Sequence, residues 1–402
     1  MLSKSTLILS SILFIILFSS TPISNSLPLS TNGRWIVDAA TGHRVKLHCA
    51  NWAGHIETMV PEGLDKQPLD KITSSVAALG FNCVRLTWAI FMYTRPEEYS
   101  NLTLSQAFDI QNLTDAKAHI MKYNPSLVDL KVGDVHEAVI NSLGKKSVVV
   151  VYDNHISRPT WCCSTNDGNG FFNDRDFSPQ EWLTGLTLVA TRYKNNPTVV
   201  AMSMRNELRG PRENVADWFN YTHQGATTIH AANPNVLVFI SGLNFDTHFS
   251  FLSNMSYGFP LDNKLLFEFH WYSFSQQHSQ RDWGTEPLYQ SCATYTQWFD
   301  TEAGFIFRNT TNLYPLILTE FGIDERGMDV AANNFLTCFC TIAAGNELDW
   351  GLWALQGSYY IRSGVPGPEE DYGVLDNNWS QPRNPAVLQR FKLLQEMLLG
   401  TT

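Results

Sequence analysis

The chain has 402 residues, of which 44% are hydrophobic and 12% aromatic, and its formal net charge is −10 at pH 7. This length accommodates either one large α/β barrel or two to three domains of average size. Because nucleic acids are polyanions that bind to basic surfaces, the acidic charge balance excludes nucleic acid as a partner.

The N-terminal segment predicts a cleavable secretory signal peptide over residues 1–26. Lys4 supplies a short positive region, and the almost wholly apolar stretch 7–18 follows it, before small polar residues and Pro22. This stretch is shorter than the ~20 residues of a membrane-spanning helix, so an uncleaved anchor is the weaker interpretation. We therefore expect a secreted protein of the extracellular space or cell wall, without a membrane partner once the signal is removed.

Asn-x-Ser/Thr sequons agree with secretion and mark candidate N-glycosylation sites. The six candidates are Asn101, Asn112, Asn220, Asn254, Asn309 and Asn378. Each triplet alone is weak support, but their number suits a glycosylated eukaryotic protein.

Seven cysteines leave at least one thiol unpaired within a monomer, the oligomeric state that we expect. Cys49 and Cys83 lie in apolar, strand-like stretches, where buried thiols and a disulfide are equally reasonable. Cys162, Cys163 and Cys292 lie in loop-like sequence and are stronger disulfide candidates, with their connectivity open. Paired Cys-x-x-Cys motifs do not occur in the sequence, so we expect no zinc site, and no other metal or cofactor.

Downstream of the signal, strand-like and helix-like segments alternate. A β-hairpin is predicted first, from residues 34–37 and 44–47, with turn residues between them. Eight core strands are then predicted at 47–52, 81–86, 147–152, 199–204, 236–241, 265–269, 316–320 and 349–353. Helical spacing is found at 68–79, 127–143, 179–193, 212–232, 330–344 and 385–399, with helix-like sequence around Trp298 and Phe299. The segment 93–124 is predicted to be loop-rich with some helix.

Repeated strand–helix units with one apolar strand in each indicate a parallel sheet. Eight such units over about 350 residues match an α/β fold of the (β/α)8 TIM-barrel class with loop insertions. A dinucleotide-binding sheet is disfavoured because no Gly-x-Gly-x-x-Gly turn follows an early strand. The sequence has no Pro/Ser-rich linker, so we predict a single domain over 27–402.

Polar or aromatic side chains recur at the carboxyl ends of the predicted strands. They are Arg85, His155, Asn206, Glu207, His270, Tyr272, Glu320 and Trp353. A single Arg or His at a strand end serves structure as often as function, whereas a buried, unpaired carboxylate is costly. Because the carboxyl ends of TIM-barrel strands form the active-site face, their occurrence together favours a catalytic site.

Two glutamates, Glu207 and Glu320, follow the fourth and seventh predicted strands. Cleaving an acetal requires an acid that protonates the leaving oxygen and a second carboxylate on the other side of the sugar. If the carboxyl groups are ~5 Å apart, the second is a nucleophile and configuration is retained. We expect Arg85 to lower the pKa of Glu320 and a less polar setting to raise that of Glu207.

Motifs along the whole mature chain resemble glycoside hydrolase family 5, the cellulase-like retaining enzymes of the (β/α)8 clan. They are Val84-Arg85-Leu86, Asp153-Asn154-His155, Arg205-Asn206-Glu207, His270-Trp271-Tyr272, Thr319-Glu320-Phe321-Gly322 and Trp353. The resemblance implies that Glu207 is the acid/base and Glu320 the nucleophile. It further implies that Asn206 binds the sugar 2-hydroxyl and that Arg85 and Tyr272 orient Glu320. By the same resemblance, His155 and His270 line this subsite, and Trp353 stacks beneath the sugar.

Two positions depart from the common family pattern. Leu208 follows the predicted acid/base, where proline is usual, and Arg205 precedes Asn206. The Cys162-Cys163 loop and its tip at 167–170 resemble plant members of the family.

The resemblance implies a retaining β-glycosidase that acts on β-linked polysaccharides or oligosaccharides, of the β-glucan or β-mannan type. A transglycosylase with the same intermediate is an alternative that the sequence does not separate. A catalytically inactive carbohydrate-binding barrel is disfavoured because both carboxylates are present. Serine-nucleophile chemistry has no support, since no Gly-x-Ser-x-Gly elbow occurs.

Overall fold

The computed structural model describes residues 28–275, 282–308 and 313–397. The predicted signal peptide at 1–26 and the sequon at Asn309 lie outside these ranges. The other five sequon asparagines are solvent-exposed, and glycosylation at them stays a prediction. Within the described ranges, no helix has both the length and the apolar character needed to cross a bilayer.

An antiparallel hairpin precedes the barrel, with a different pairing from the predicted one. Strand β1 (Leu29–Asn32) pairs with β2 (Trp35–Asp38) across a two-residue turn. The turn contains Gly33 at φ 56°, a left-handed conformation that glycine adopts without steric cost. Residues 44–47, the predicted partner, contribute one isolated bridge to β2. The predicted pairing is therefore present only as this bridge between Val37 and Arg44, and the main partner of β2 is β1.

Eight parallel strands close into a barrel, which confirms the predicted (β/α)8 fold. They are β3 (His48–Trp52), β4 (Cys83–Ala89), β5 (Val149–Ile156), β6 (Val199–Ser203), β7 (Leu237–Ile240), β8 (Leu265–His270), β9 (Leu316–Phe321) and β10 (Asp349–Leu352). Each strand pairs with its successor along the chain, and β10 closes the barrel by pairing with both β9 and β3. All eight predicted core strands are present.

The strands β4 to β10 are buried along their whole length. Parallel strands covered on both faces read as nearly continuous apolar runs, which explains the sequence pattern. One apolar cluster fills the lower barrel interior and includes Cys49, Val151, Ala201, Phe239 and Ile317. A larger cluster lies between the strands and the surrounding helices. The core therefore leaves the carboxyl ends of the strands for polar side chains.

Helices surround the barrel. They are Leu69–Ala78, Phe91–Thr94, Leu104–Ile110, Thr114–Tyr123, Val132–Gly144, Pro179–Arg192, Val215–Ala232, Asp282–Thr285, Leu288–Phe299, Val330–Asn346 and Pro385–Phe391. The predicted helix at 212–232 begins later, at Val215, because the Asn214 side chain accepts a hydrogen bond from the Asp217 N–H and caps it. The segment 93–124 contains more helix than predicted. A small hairpin of β11 (Ile361–Arg362) and β12 (Val365–Pro366) follows β10.

The described part of the chain contains two disulfides. Cys49 and Cys83 join β3 to β4, and Cys162 is bridged to its neighbour Cys163. Cys49 and Cys83 therefore form a disulfide and are not the two buried thiols that the sequence equally allowed. Cys292 has a free thiol in the structure, unlike the bridge expected for it.

We expect the double substitution Cys49→Ser/Cys83→Ser to lower the free energy of unfolding by about 4 kcal/mol. The bridge joins residues 34 positions apart and so restricts the unfolded chain considerably. Denaturant unfolding of the variant and the wild type measures the difference. Activity at 25 °C should persist, since the bridge lies at the amino ends of its strands. A variant as stable as the wild type would contradict this assignment.

Candidate active site

Arg85 on β4 is the centre of the polar cluster at the carboxyl end of the barrel and is 1% exposed. Its Nη1 donates to Glu320 Oε1 at 2.6 Å, and its Nη2 donates to Asn206 Oδ1 at 2.9 Å. Carboxylate oxygens of Asp153 and Glu268 lie 3.2 Å and 3.5 Å from Nη2. One buried cation therefore contacts these four side chains, each from a different strand or strand end, and also Asn51 on β3.

Two members of this cluster, Asp153 and Glu268, were not assigned a role from the sequence. Glu268 accepts hydrogen bonds from the hydroxyls of Ser203 and Ser241. Burial raises the pKa of both carboxyls, while the charge of Arg85 opposes the rise. The sequence did contain a signal for Glu268, because it lies within an apolar strand. A carboxylate in that position requires a buried partner.

Glu320 at the end of β9 is buried and held at both carboxylate oxygens. Oε1 accepts from Arg85, and Oε2 accepts from the Tyr272 hydroxyl at 2.9 Å. Burial raises the pKa of Glu320, with His270 and Arg85 acting in the opposite direction. Arg85 lowers the pKa of Glu320 as expected, but desolvation outweighs this attraction, so the net pKa lies above its ordinary value instead of below it.

Glu207 follows β6 in a left-handed backbone conformation, with φ 45°. Its N–H donates to Asp246 Oδ2 at 2.9 Å, and its Oε1 is hydrogen-bonded to His270 Nδ1 at 3.0 Å. Such a conformation is unusual outside glycine and persists where surrounding contacts hold it. Burial raises the pKa of Glu207 to about 7, as the sequence led us to expect. This carboxyl group can therefore carry a proton near neutral pH.

The two glutamates face each other across a short gap. One carboxylate oxygen of Glu207, one of Glu320 and a ring nitrogen of His270 all lie within 4.8 Å of one another. A separation of ~5 Å between two carboxyl groups leaves room for a glycosidic bond attacked directly by one of them. The geometry thus suits an acid and a nucleophile at one reacting carbon.

Above this pair lies a cavity of about 680 Å³. Six of the eight predicted site residues line it: His155, Glu207, His270, Tyr272, Glu320 and Trp353. The other two, Arg85 and Asn206, lie beneath it and hold the lining residues in place. The structure therefore brings all eight predicted residues together.

His155 and Trp353 form one side of the cavity. The rings are nearly parallel, with an interplanar angle of 18° and centroids 5.6 Å apart. His155 Nδ1 is hydrogen-bonded to Asp153 Oδ2 at 2.6 Å, which fixes the ring and leaves Nε2 as its other polar atom. Burial holds the pKa of His155 well below its usual value, so the ring is neutral.

Further aromatic residues of the cavity come from loops and were not found from the sequence. They are Trp161, Phe245, Phe274 and Tyr372. Phe274 is 58% exposed and stacks on Tyr272 at an angle of 8°. Loop residues have no periodic pattern that would separate a ligand-facing aromatic from any other, so no sequence signal was available.

A comparison with protein families identifies the chain. The family described as Cellulase (glycosyl hydrolase family 5) matches residues 39–358. The chain belongs to glycosyl hydrolase family 5. It is therefore a glycoside hydrolase that acts on O-glycosyl compounds, and the family inferred from the motifs is confirmed.

Relatives of the chain agree with this assignment. A glycosyl hydrolase 5 family protein of Chamaecyparis obtusa is 45% identical over 377 residues, which cover 93% of this chain and 67% of the relative. The catalytic domain of the major endoglucanase of Xanthomonas campestris has a TM-score of 0.71 at 21% identity, covering 91% of this chain and 99% of that one. The endocellulase of Pyrococcus horikoshii in complex with cellotetraose also has a TM-score of 0.71, at 17% identity and 92% and 99% coverage. At these identities the two solved structures show the fold alone.

If Glu207 donates the proton, kcat/KM should fall as the pH rises through about 7, because the fraction of protonated Glu207 falls there. Initial rates measured from pH 4 to 9 on a β-glycoside with a poor leaving group give this pH profile, and the fall near pH 7 is its basic limb. The same profile on Glu207→Ala is the control and should lose the limb near pH 7. A limb that persists in the variant would show that another group titrates.

Proposed function

We propose that the protein is a retaining β-glycosidase of β-glucan, with Glu207 as acid/base and Glu320 as nucleophile. The observation that carries the proposal is the approach of the two carboxylates to within 4.8 Å in different surroundings. The side chain of Glu207 is hydrogen-bonded to a neutral histidine, whereas Glu320 is bound by Arg85 and Tyr272. Opposite roles for paired carboxyls arise from such differences in environment.

The proposed reaction has two displacements. In the first, a Glu320 oxygen bonds to the anomeric carbon while the glycosidic C–O bond breaks, and Glu207 transfers its proton to the leaving oxygen. In the second, Glu207 removes a proton from water, the water oxygen bonds to the anomeric carbon, and the ester bond to Glu320 breaks. Arg85 and Tyr272 would accommodate the changing charge on Glu320.

β-Glucan is the proposed substrate class. The family is described as Cellulase, and a structural neighbour binds cellotetraose. Trp353 and the loop aromatics supply apolar faces of the kind on which sugar rings stack. β-Mannan hydrolysis and transfer of the sugar to another sugar are alternative outcomes of the product analysis below.

We expect Glu320→Ala to abolish turnover of every β-glycoside that the wild type cleaves, because no covalent intermediate forms. Glu207→Ala should slow substrates with poor leaving groups by about 10²–10⁴-fold, since these need the acid. Aryl glycosides with activated leaving groups should form the intermediate at nearly the wild-type rate. Steady-state and pre-steady-state rates on cello-oligosaccharides, manno-oligosaccharides and aryl β-glycosides measure these effects.

The stereochemistry of the product provides an independent control. NMR of the first product should show the β-anomer, as retention requires. An initial α-anomer, or unchanged turnover by Glu320→Ala, would refute the proposed roles. Added azide should rescue both variants with opposite products, a β-azide from Glu207→Ala and an α-azide from Glu320→Ala.

We also propose that the protein is secreted and N-glycosylated. The N-terminal pattern of residues 1–26 and the exposure of Asn101, Asn112, Asn220, Asn254 and Asn378 support this proposal. An exposed asparagine in a sequon is accessible to glycosylation in the secretory pathway.

Expression of the full chain in a eukaryotic host should place the protein in the medium, with a new N-terminus near residue 27. Treatment with an N-glycosidase should lower its apparent mass and convert modified asparagines to aspartates that mass spectrometry detects. A matched chain without residues 2–26 should remain in the cells. Retention of the full chain in the cells would contradict the proposal.

A further inference from the structure

The disulfide between Cys162 and Cys163 faces the cavity that holds the two catalytic candidates. Asn206 Nδ2 lies 3.8 Å from Cys162 Sγ and 3.7 Å from Cys163 Sγ. A ring nitrogen of His155 and both sulfur atoms lie within 4.8 Å of one another. The sulfur pair is thus a surface of the same site, beside Asn206 and His155.

Two fully buried arginines, which follow strand β6 in the chain, bind the loop that carries the disulfide. Arg205 donates to the carbonyl oxygen of Asn169. Arg209 donates from Nε to the Ser164 carbonyl at 3.1 Å and from Nη2 to Asp167 Oδ2 at 2.5 Å. Because these arginines flank the Asn206-Glu207 pair in the chain, the disulfide has a defined position relative to the acid/base candidate.

Stabilisation of the fold does not account for this bridge. A disulfide restricts the unfolded chain in proportion to the logarithm of the loop that it closes. Cys162 and Cys163 are adjacent and close the smallest loop possible, whereas Cys49 and Cys83 are 34 positions apart. The adjacent bridge therefore contributes little as a cross-link, and its placement in the cavity calls for another role.

The chemistry of the disulfide suits contact with a sugar. It is uncharged and polarisable, and sulfur packs favourably against apolar groups such as the C–H bonds of a sugar ring. The Asn206 amide, which lies beneath the cavity, contacts the two sulfur atoms at 3.7–3.8 Å, and both cysteines line the cavity itself.

We propose that the Cys162–Cys163 disulfide is a substrate-contacting wall of the subsite between Glu207 and Glu320. Its sulfur atoms pack against the bound β-linked glucose unit, while Asn206 beneath them supports the bridge. This inference rests on the proposed glycosidase function and identifies a binding surface that the catalytic residues do not include. Removal of the bridge weakens sugar binding without unfolding the barrel.

The first test measures binding in a Glu320→Gln background, where cellotetraose is not consumed. We expect Cys162→Ala/Cys163→Ala to raise the Kd for cellotetraose at least fivefold in a tryptophan-fluorescence titration, with Trp161 and Trp353 as reporters. The matched control is Cys49→Ala/Cys83→Ala, which should lower the melting temperature and leave the Kd within twofold. A Kd within twofold of the parent for the Cys162/Cys163 variant overturns the proposal.

A second test needs no cysteine substitution and so does not depend on the folding of the variant. Dithiothreitol is added to Glu320→Gln, and isotope-coded alkylation with peptide mass spectrometry follows each disulfide. We expect saturating cellotetraose to slow reduction of Cys162–Cys163 at least fivefold, while the buried Cys49–Cys83 bridge reports any general change in stability. Equal rates with and without the sugar overturn the proposal.

Failure of the proposed function would give a different result. Wild-type protein would then hydrolyse no β-glucan or β-glucoside, and the Glu320→Gln parent would show no cellotetraose binding, which refutes both proposals together. Hydrolysis by the wild type with an unchanged Kd in the Cys162→Ala/Cys163→Ala variant refutes only the role of the disulfide.

Discussion

The structure of the site depends on a single buried guanidinium, that of Arg85. Burial alone would lower its pKa, but Asp153, Glu268 and Glu320 more than compensate and raise it. Buried without its partners, the cation or any of these carboxylates would strongly destabilise the fold, since an unpaired buried charge is costly. The need for mutual compensation brings strands β4, β5, β8 and β9 to one point. It also explains why the carboxyl face of the barrel is polar while the lower interior is apolar.

Glu207 belongs to the same face but lies outside the direct contacts of Arg85. Its backbone is held by the Asp246 carboxylate and its side chain by His270, whose pKa burial lowers. Burial raises the pKa of both glutamates, but the hydrogen-bond partner of Glu207 is a neutral histidine, whereas Glu320 is bound by the guanidinium, whose charge opposes the rise. The difference between the two glutamates thus follows from which of them reaches the guanidinium.

One of the two positions that depart from the family pattern, Arg205, has a structural role that it shares with Arg209. Arg205 and Arg209 point away from the cavity and bind the loop that contains Cys162 and Cys163. The guanidinium of Arg205 also lies over the ring of Phe177, 3.8 Å from its centroid. The segment that supplies the predicted acid/base therefore also builds the wall beside it.

Much of the architecture follows from local pattern. Eight apolar runs, each followed by helical spacing, predict the barrel and its strand order, because strands buried on both faces need continuous apolar sequence. The predicted site residues converge because parallel strands present their carboxyl ends on one face. Family motifs then assigned roles to Glu207 and Glu320, which remain predictions.

Other features depend on distances between segments remote in sequence. The pKa direction of Glu320 is an example, because desolvation depends on everything packed around the carboxyl and a partner residue alone does not determine it. The pairing of Cys49 with Cys83, the contribution of Glu268 and the loop aromatics at Trp161 and Phe274 are others. By itself the sequence determined the barrel, the strand ends that hold the predicted site residues, and the two carboxylates among them. Only the tertiary structure decided the charge balance and the walls of the cavity, because both arise from side chains that meet after the barrel has closed.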